Sequence, residues 1–212
     1  MFDRQHGFRS KPLSYGAIER FAYRARSALL PNRPFTESIL GLQLFENLNE
    51  LEIQVRDDHV LRVNYAVNHL PTGIEGMSTY DHDREEILIT LDQATYLALV
   101  DGTPRALFCL CHELGHICVH SLELVELSSI PHEIAALNRG QIPAHRVFED
   151  TEWQANAFAA AFLMPAAGLA ELERGRGILT AQELVRKFNV SFDAARIRLD
   201  SFRARRSDLL RK

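Results

Sequence analysis

The chain has 212 residues, 46% of them hydrophobic, enough for one full core with a small appended subdomain. A formal charge of -4 and an isoelectric point near 6.1 do not describe a nucleic-acid binder as a whole. No run of eighteen apolar residues occurs, so no transmembrane helix is expected, and the polar start MFDRQHGFRSKPLSYG lacks an apolar signal core. Both features point to the cytoplasm. Cys109, Cys111 and Cys118 are an odd number for a cytosolic chain, which argues against a disulfide framework. Cys109 and Cys111 stand two apart and would point to different faces of a helix, so the three thiols read as small buried apolar groups rather than a metal site.

Residues 14–30 place Ile18, Phe21, Ala22, Ala25 and Leu29 on one stripe at helical spacing, and Pro31 stops the helix. A second helix is expected over 36–49, starting at Thr36. The pattern then changes. LEIQV (51–55), VLRVNYAV (60–67) and EILIT (86–90) are short, rich in Ile and Val, and read as strands of one small sheet. LPTGIEG (70–76) and DHDRE (81–85) carry turn chemistry between them. One helix follows Asp92; another begins near Pro104 and runs through ALFCLCHELGHICVH. Residues 121–148, with Pro131, Gly140 and Pro143, are less regular and leave room for one short helix. Residues 151–163, TEWQANAFAAAFL, are helical and end at Met164-Pro165. The tail reads as helices over 165–174, 180–188 and 191–205, the last two opened by Thr180 and Ser191. The chain therefore divides into residues 1–165, holding the N-terminal helices, sheet and motif helices, and residues 166–212, a helical subdomain packed on them.

Within CHELGHICVH (111–120), His112 and His116 stand four apart with Glu113 beside the first. Residues i and i+4 share a helix face with Cβ atoms about 5–6 Å apart, so two imidazoles there can reach one ion at about 2.0–2.1 Å. Glu113 lies one step round the helix, beside the ion without ligating it. H-E-x-x-H is the zinc metallopeptidase motif. The surrounding helix is apolar (Ala106, Leu107, Phe108, Leu110, Ile117, Val119), and three polar groups in a core helix are costly unless satisfied; one metal satisfies all three. A catalytic zinc needs a third protein ligand. On a straight helix His120 lies about 6 Å beyond His116 along the axis, too far to share the ion. Val119 and Leu122 stand where the metzincin pattern needs glycine and histidine. His132 and His145 lie in the irregular segment with no ligand pattern around them. Glu152, opening the helix TEWQANAFAAAFL, is the best third ligand. Asn156 shares its face at i+4 and can bond the far nitrogen of a ligating histidine. Ala155, Ala159 and Ala160 leave room for this helix to lie close to the metal helix; Phe158 and Phe162 read as core.

Taken together, HELGHICVH and EWQANAFAAAFLMP resemble the ImmA/IrrE family of zinc metallopeptidases, which pairs HELGH with a later E-x-(E/Q)-A-(N/D)-x-F-A-A-x-L-L-M-P. The matching positions are Glu152, Gln154, Ala155, Asn156, Phe158, Ala159, Ala160, Leu163, Met164 and Pro165, with Phe162 in place of a frequent leucine. The resemblance implies an α+β, mostly helical, gluzincin-like fold with a small antiparallel sheet and a helix-turn-helix-like C-terminal segment. It implies His112, His116 and Glu152 as ligands to zinc, or to manganese, and Glu113 as the catalytic base. It further implies cytoplasmic cleavage of helix-turn-helix repressors of the Xre type, relieving repression after DNA damage or in mobile elements. The edge strand expected to take the substrate is EILIT (86–90). Tyr80, His82 and His120 are the candidate oxyanion donors.

Two other readings stand beside hydrolysis. Residues 186–212 hold nine basic residues (Arg186, Lys187, Arg196, Arg198, Arg203, Arg205, Arg206, Arg211, Lys212) against Asp193, Asp200 and Asp208. LVRKFNVSFDAARIRL resembles a helix-turn-helix with Asn189-Val190 as its turn, so DNA is one alternative partner. The other is a non-proteolytic regulator that keeps the fold and binds a protein partner; an intact Glu113 argues against it.

Overall fold

The computed structural model describes residues 9–56, 59–128 and 147–211. His132, His145 and the short helix expected near them fall outside these residues. Helix α1 (Tyr15–Leu29) is opened by Ser14, whose Oγ accepts from Ala17 N at 3.1 Å. Its buried face differs from the expected stripe. Ile18, Ala22, Ala25 and Leu29 are buried, but Phe21 is 36% exposed, while Glu19 and Arg26 turn inward. Both inward charges are held by polar partners described below, and that overrides the apolar pattern. The second helix is shorter than its sequence pattern suggests: α2 (Gly41–Glu46) passes into a 3-10 turn over Asn47–Glu50.

Four strands follow: β1 (Glu52–Arg56), β2 (His59–Asn68), β3 (Gly76–Asp81) and β4 (Glu86–Asp92). The sheet order is β1-β2-β4-β3, with β1/β2 and β3/β4 antiparallel but β2/β4 parallel. The sheet is thus mixed rather than antiparallel throughout. The chain leaves β2, returns one position further out as β3, and the β3–β4 hairpin folds back into the gap. At its turn, Asp81 Oδ1 accepts from Asp83 N and Arg84 N at 2.9 and 3.2 Å, and Glu85 takes a positive φ of 51°. EILIT is consequently a central strand, with Ile87, Ile89 and Leu91 fully buried; the edge beside it is β3, whose segment GMSTYD lacks an apolar alternation. In register, Gly76, Ser78 and Tyr80 pair with Leu91, Ile89 and Ile87, so these three share the sheet face that carries the core.

Helices α3 (Gln93–Val100) and α4 (Pro104–Ser128) come next, α4 bending where His120 leaves helical geometry (φ -123°, ψ 23°). Helix α5 (Thr151–Leu163) packs across α4, and α1 packs on α5. Helices α6 (Ala166–Arg176), α7 (Ala181–Phe188) and α8 (Phe192–Leu209) complete the chain. Thr180 and Glu183 form a reciprocal cap on α7. Asn189 turns the chain in the left-handed region (φ 52°), and its side chain donates to Gly102 O at 2.8 Å. Leu184, Phe188, Val190, Leu199 and Phe202 join the same core as the sheet and α4, whereas Ile197 is exposed. Residues 151–175 are apolar and long enough by composition to cross a membrane, but the helices break at Met164-Pro165 and 61% of the most apolar window is buried.

Three buried charges converge on the end of α5. Arg26 Nη1 donates to Phe162 O at 2.7 Å, and its Nη2 donates to Pro34 O and Glu37 O at 3.1 and 2.8 Å. Burial pushes the Arg26 pKa down to about 10, and the carbonyls at a helix C-terminus compensate its charge. Arg198 Nη2 meets Glu19 Oε2 at 2.7 Å while its Nε donates to Met164 O at 2.9 Å; Glu19 Oε1 accepts from Ala166 N at 2.7 Å. Breaking a buried pair by removing one partner leaves the other charge uncompensated. Arg198→Met is therefore expected to lower the unfolding free energy by about 3–5 kcal/mol in urea titration. Adding Glu19→Gln should recover part of that loss.

Candidate metal centre

Helix α4 presents His112 and His116 on one face, and α5 brings Glu152 to meet them. Asp150 caps α5, its carboxylate accepting from Glu152 N and Trp153 N at 2.8 and 3.1 Å, which holds Glu152 in the first turn. The crossing is close because both contact residues are small. A Cβ built on Gly115 would lie 3.1 Å from the Cα and the carbonyl oxygen of Ala155, so glycine is what lets α5 approach.

The donor atoms form a small triangle. His112 Nε2 and His116 Nε2 are 3.1 Å apart; Glu152 places Oε2 at 3.2 Å from the first and Oε1 at 3.4 Å from the second. Tetrahedral ligands at 2.0–2.1 Å from one zinc ion would stand about 3.3 Å from each other, and the three edges fit that figure. The polar partners support the fit. His112 Nδ1 lies 3.1 Å from Asn156 Oδ1, an acceptor, so His112 donates there and Nε2 is the nitrogen it turns to the centre. Two imidazole nitrogens and a carboxylate converging on one point suit a cation between them. Burial by itself would raise the Glu152 pKa, but the contacts with His112 and His116 outweigh it and hold the carboxyl well below the usual carboxylate range. Burial likewise opposes charge on His112, yet its contact with Glu152 raises the pKa overall. Among the described residues, His112, His116 and Glu152 are the group that could hold a metal ion.

Glu113 stands beside this triangle, 8% exposed. Two edge-strand residues missed in the sequence set its position. Ser78 Oγ lies 2.8 Å from Glu113 Oε2 and 3.0 Å from Glu113 O. A Cβ on Gly76 would meet Glu113 Cγ at 3.2 Å and Cys109 Sγ at 3.1 Å, so the bare strand start makes room for the acid. A glycine opening a strand signals such close approach, but Ser78 had no signal. Burial pushes the thiols of Cys109 and Cys118 up to about 12 and raises that of Cys111 as well, in keeping with unreactive buried thiols.

The triangle opens into a cleft of about 720 Å³ between β3 and the two helices, with Ile74, Met77, Phe108 and Leu124 as apolar walls. Arg105 spans one rim, bidentate to Glu75 at 2.7 and 3.0 Å. A hollow of similar size, about 730 Å³, lies against Tyr15, Trp153 and Arg205 and holds no member of the triangle. The three oxyanion candidates are distributed differently. Tyr80 and His82 contact each other edge-on at 4.8 Å and do not line the cleft. His120 borders it, but both ring nitrogens are engaged, by His116 Nδ1 at 3.3 Å and Gln154 Oε1 at 2.8 Å. Burial lowers its pKa to about 4.

Residues 97–200 match the family described as the IrrE N-terminal-like domain, Peptidase_M78. The chain belongs to the ImmA/IrrE family. Its matched segment runs from α3 into α8 and contains both the histidine pair and Glu152, so it carries a peptidase domain with a cluster suited to a metal. No curated protein matches the sequence.

Gly115→Val would drive a branched side chain into the backbone of Ala155. Overpacking of this kind costs about 1–3 kcal/mol of stability. It should also lift Glu152 away from the histidines, so that zinc affinity, measured by competition with a chromogenic chelator, falls by about 10–100-fold.

Proposed function

We propose that the chain is a zinc-dependent endopeptidase that cuts a helix-turn-helix repressor of the Xre type in the cytoplasm. The observation that carries the hydrolytic reading is the pairing of a three-donor triangle with an unligated acid, Glu113, on one wall of a cleft bounded by an edge strand. The donor set, two imidazoles and one carboxylate, is that of a catalytic zinc with one position left for water or substrate. The substrate class and compartment rest on the family resemblance.

The chemistry such an ion supplies is activation of water near neutral pH and polarisation of the scissile carbonyl. His112, His116 and Glu152 would hold it, and Asn156 would keep His112 in the ligating tautomer. Glu113 takes the proton of the attacking water and returns it to the leaving amine. Ser78 keeps the carboxylate aimed into the cleft. An extended peptide pairs with the free edge of β3, rather than with β4, and so lies along the wall that holds Glu113. The apolar walls favour bulky aliphatic or aromatic side chains on either side of the cut.

DNA binding finds less support. Arg198 is buried against Glu19, Arg206 pairs with Glu173, Arg196 sits beside Asp193 and Asp200, Arg203 donates to Leu179 O, and Arg205 stacks on Tyr15 at 4.2 Å. Five of the nine basic residues counted in the tail thus already have partners within the chain.

Incubation of the zinc-loaded protein with the helix-turn-helix repressor encoded nearest its gene should yield two fragments. Glu113→Gln is expected to keep zinc while cleavage falls by about 10²–10⁴-fold; Glu152→Ala should lose the metal as well. An intact repressor in the presence of zinc-bound protein would overturn the substrate assignment. Ser78→Ala should retain zinc and lower kcat by about 10–100-fold in the same assay, since the base loses its aim.

A further inference from the structure

Gln154 is fully buried on α5, two residues beyond Glu152. Its amide orientation follows from its neighbours. Nε2 donates to the main-chain carbonyls of Lys11 and Phe148, each at 2.9 Å. A carbonyl oxygen only accepts, so the amide cannot be turned over, and Oε1 faces His120 Nε2 at 2.8 Å. An amide oxygen also only accepts, so His120 carries a proton on Nε2. The ring is 2% exposed and, among the described residues, hydrogen-bonds to Gln154 and His116, so with the ring proton placed on Nε2 it is Nδ1 that offers a lone pair. That lone pair faces His116 Nδ1 at 3.3 Å. His116 is then the donor, and its Nε2 is left bare, turned toward His112 and Glu152. Two backbone carbonyls therefore dictate, through four hydrogen bonds, which nitrogen of His116 faces the metal.

One of those carbonyls belongs to an extended N-terminal segment. Ser10 N donates to Glu149 O at 2.8 Å, Leu13 N to Phe148 O at 3.2 Å, and Ser10 Oγ to Glu123 Oε1 at 2.7 Å, beyond the bend in α4. The segment is seated against residues 147–150 and α4 together.

We propose that Gln154 and His120 are positioning residues that lock His116 in its metal-binding tautomer, and that residues 9–13, by supplying the Lys11 carbonyl, set how firmly the site grips its ion. The proposal rests on the metallopeptidase reading above. It accounts for the bend at His120: the helix departs from regularity where the ring must reach back to His116 and across to α5 at once. It also assigns His120 a role that excludes it from oxyanion binding.

Ring ¹⁵N shifts of the full-length zinc-loaded protein test the relay directly. The expected result is a neutral His120 protonated on Nε2 and His116 protonated on Nδ1; a His120 protonated on Nδ1, or on both nitrogens, overturns the proposal without any variant. His120→Phe removes the acceptor and should weaken zinc binding by about 10–100-fold, while His120→Gln, whose amide oxygen accepts, should restore most of it. Ser10→Pro lies outside the relay and removes two anchors of the segment; zinc transfer to a chromogenic chelator should accelerate a few-fold. Unchanged zinc affinity in a folded His120→Phe protein overturns the relay and leaves the metal reading standing. Unchanged release from Ser10→Pro overturns the part assigned to residues 9–13. Failure of the wild-type protein to take up zinc overturns the metal reading and this one with it.

Discussion

Helices α4 and α5 touch backbone to backbone at Gly115 and Ala155, and every feature of the site follows from that approach. A Cβ at 115 would push α5 back by a few tenths of an ångström, and a larger side chain by more, drawing Glu152 away from His112 and His116. The same closeness lets Asn156 and Gln154, one on either side of Ala155, reach His112 and His120 from α5. The motif is thus less a list of ligands than the description of a helix crossing. Polar positions supply donors and acceptors, and the small positions decide whether they meet.

Helix content was largely legible because its signals are local. Thr180 and Ser191 cap helices where expected, and the histidine–glutamate motif sits on the long α4. The sheet was less legible because its order depends on contacts between distant segments. β3 lies between two turn segments with no strand signal of its own: GMSTYD has neither a hydrophobic run nor strict alternation, and its strand character comes from pairing with β4. Missing it made EILIT look like an edge and hid Ser78 and Gly76, the residues that hold the acid. Glu152 was legible because a helix start is written in the sequence. The grip of Gln154 on Lys11 was not, since it joins residues 143 apart.

Buried charge explains the remaining departures from the hydrophobic pattern. Phe21 is displaced from the buried stripe of α1 because Glu19 and Arg26 occupy that face, each with several polar partners. A helix-period reading ranks residues by apolarity and cannot foresee a charge whose partners come from another helix. The tail shows the same bias in reverse: a row of arginines suggests an outward-facing surface for a polyanion, yet Arg198 sits in the interior and others lie along neighbouring side chains.

The charged junction beyond Leu163 gives α5 a pivot. Glu152 lies eleven residues before Leu163, about 17 Å along the axis at 1.5 Å per residue. A rod clamped at one end turns small rotations into large displacements at the other: a tilt of roughly 5° would swing the carboxylate by about 1.5 Å, several times the roughly 0.2 Å tolerance of a coordination bond. Arg26, Glu19 and Arg198 make no contact with the catalytic cleft, yet they are the mounting on which its alignment is levelled, and changes at this remote end would register as altered chemistry at the other.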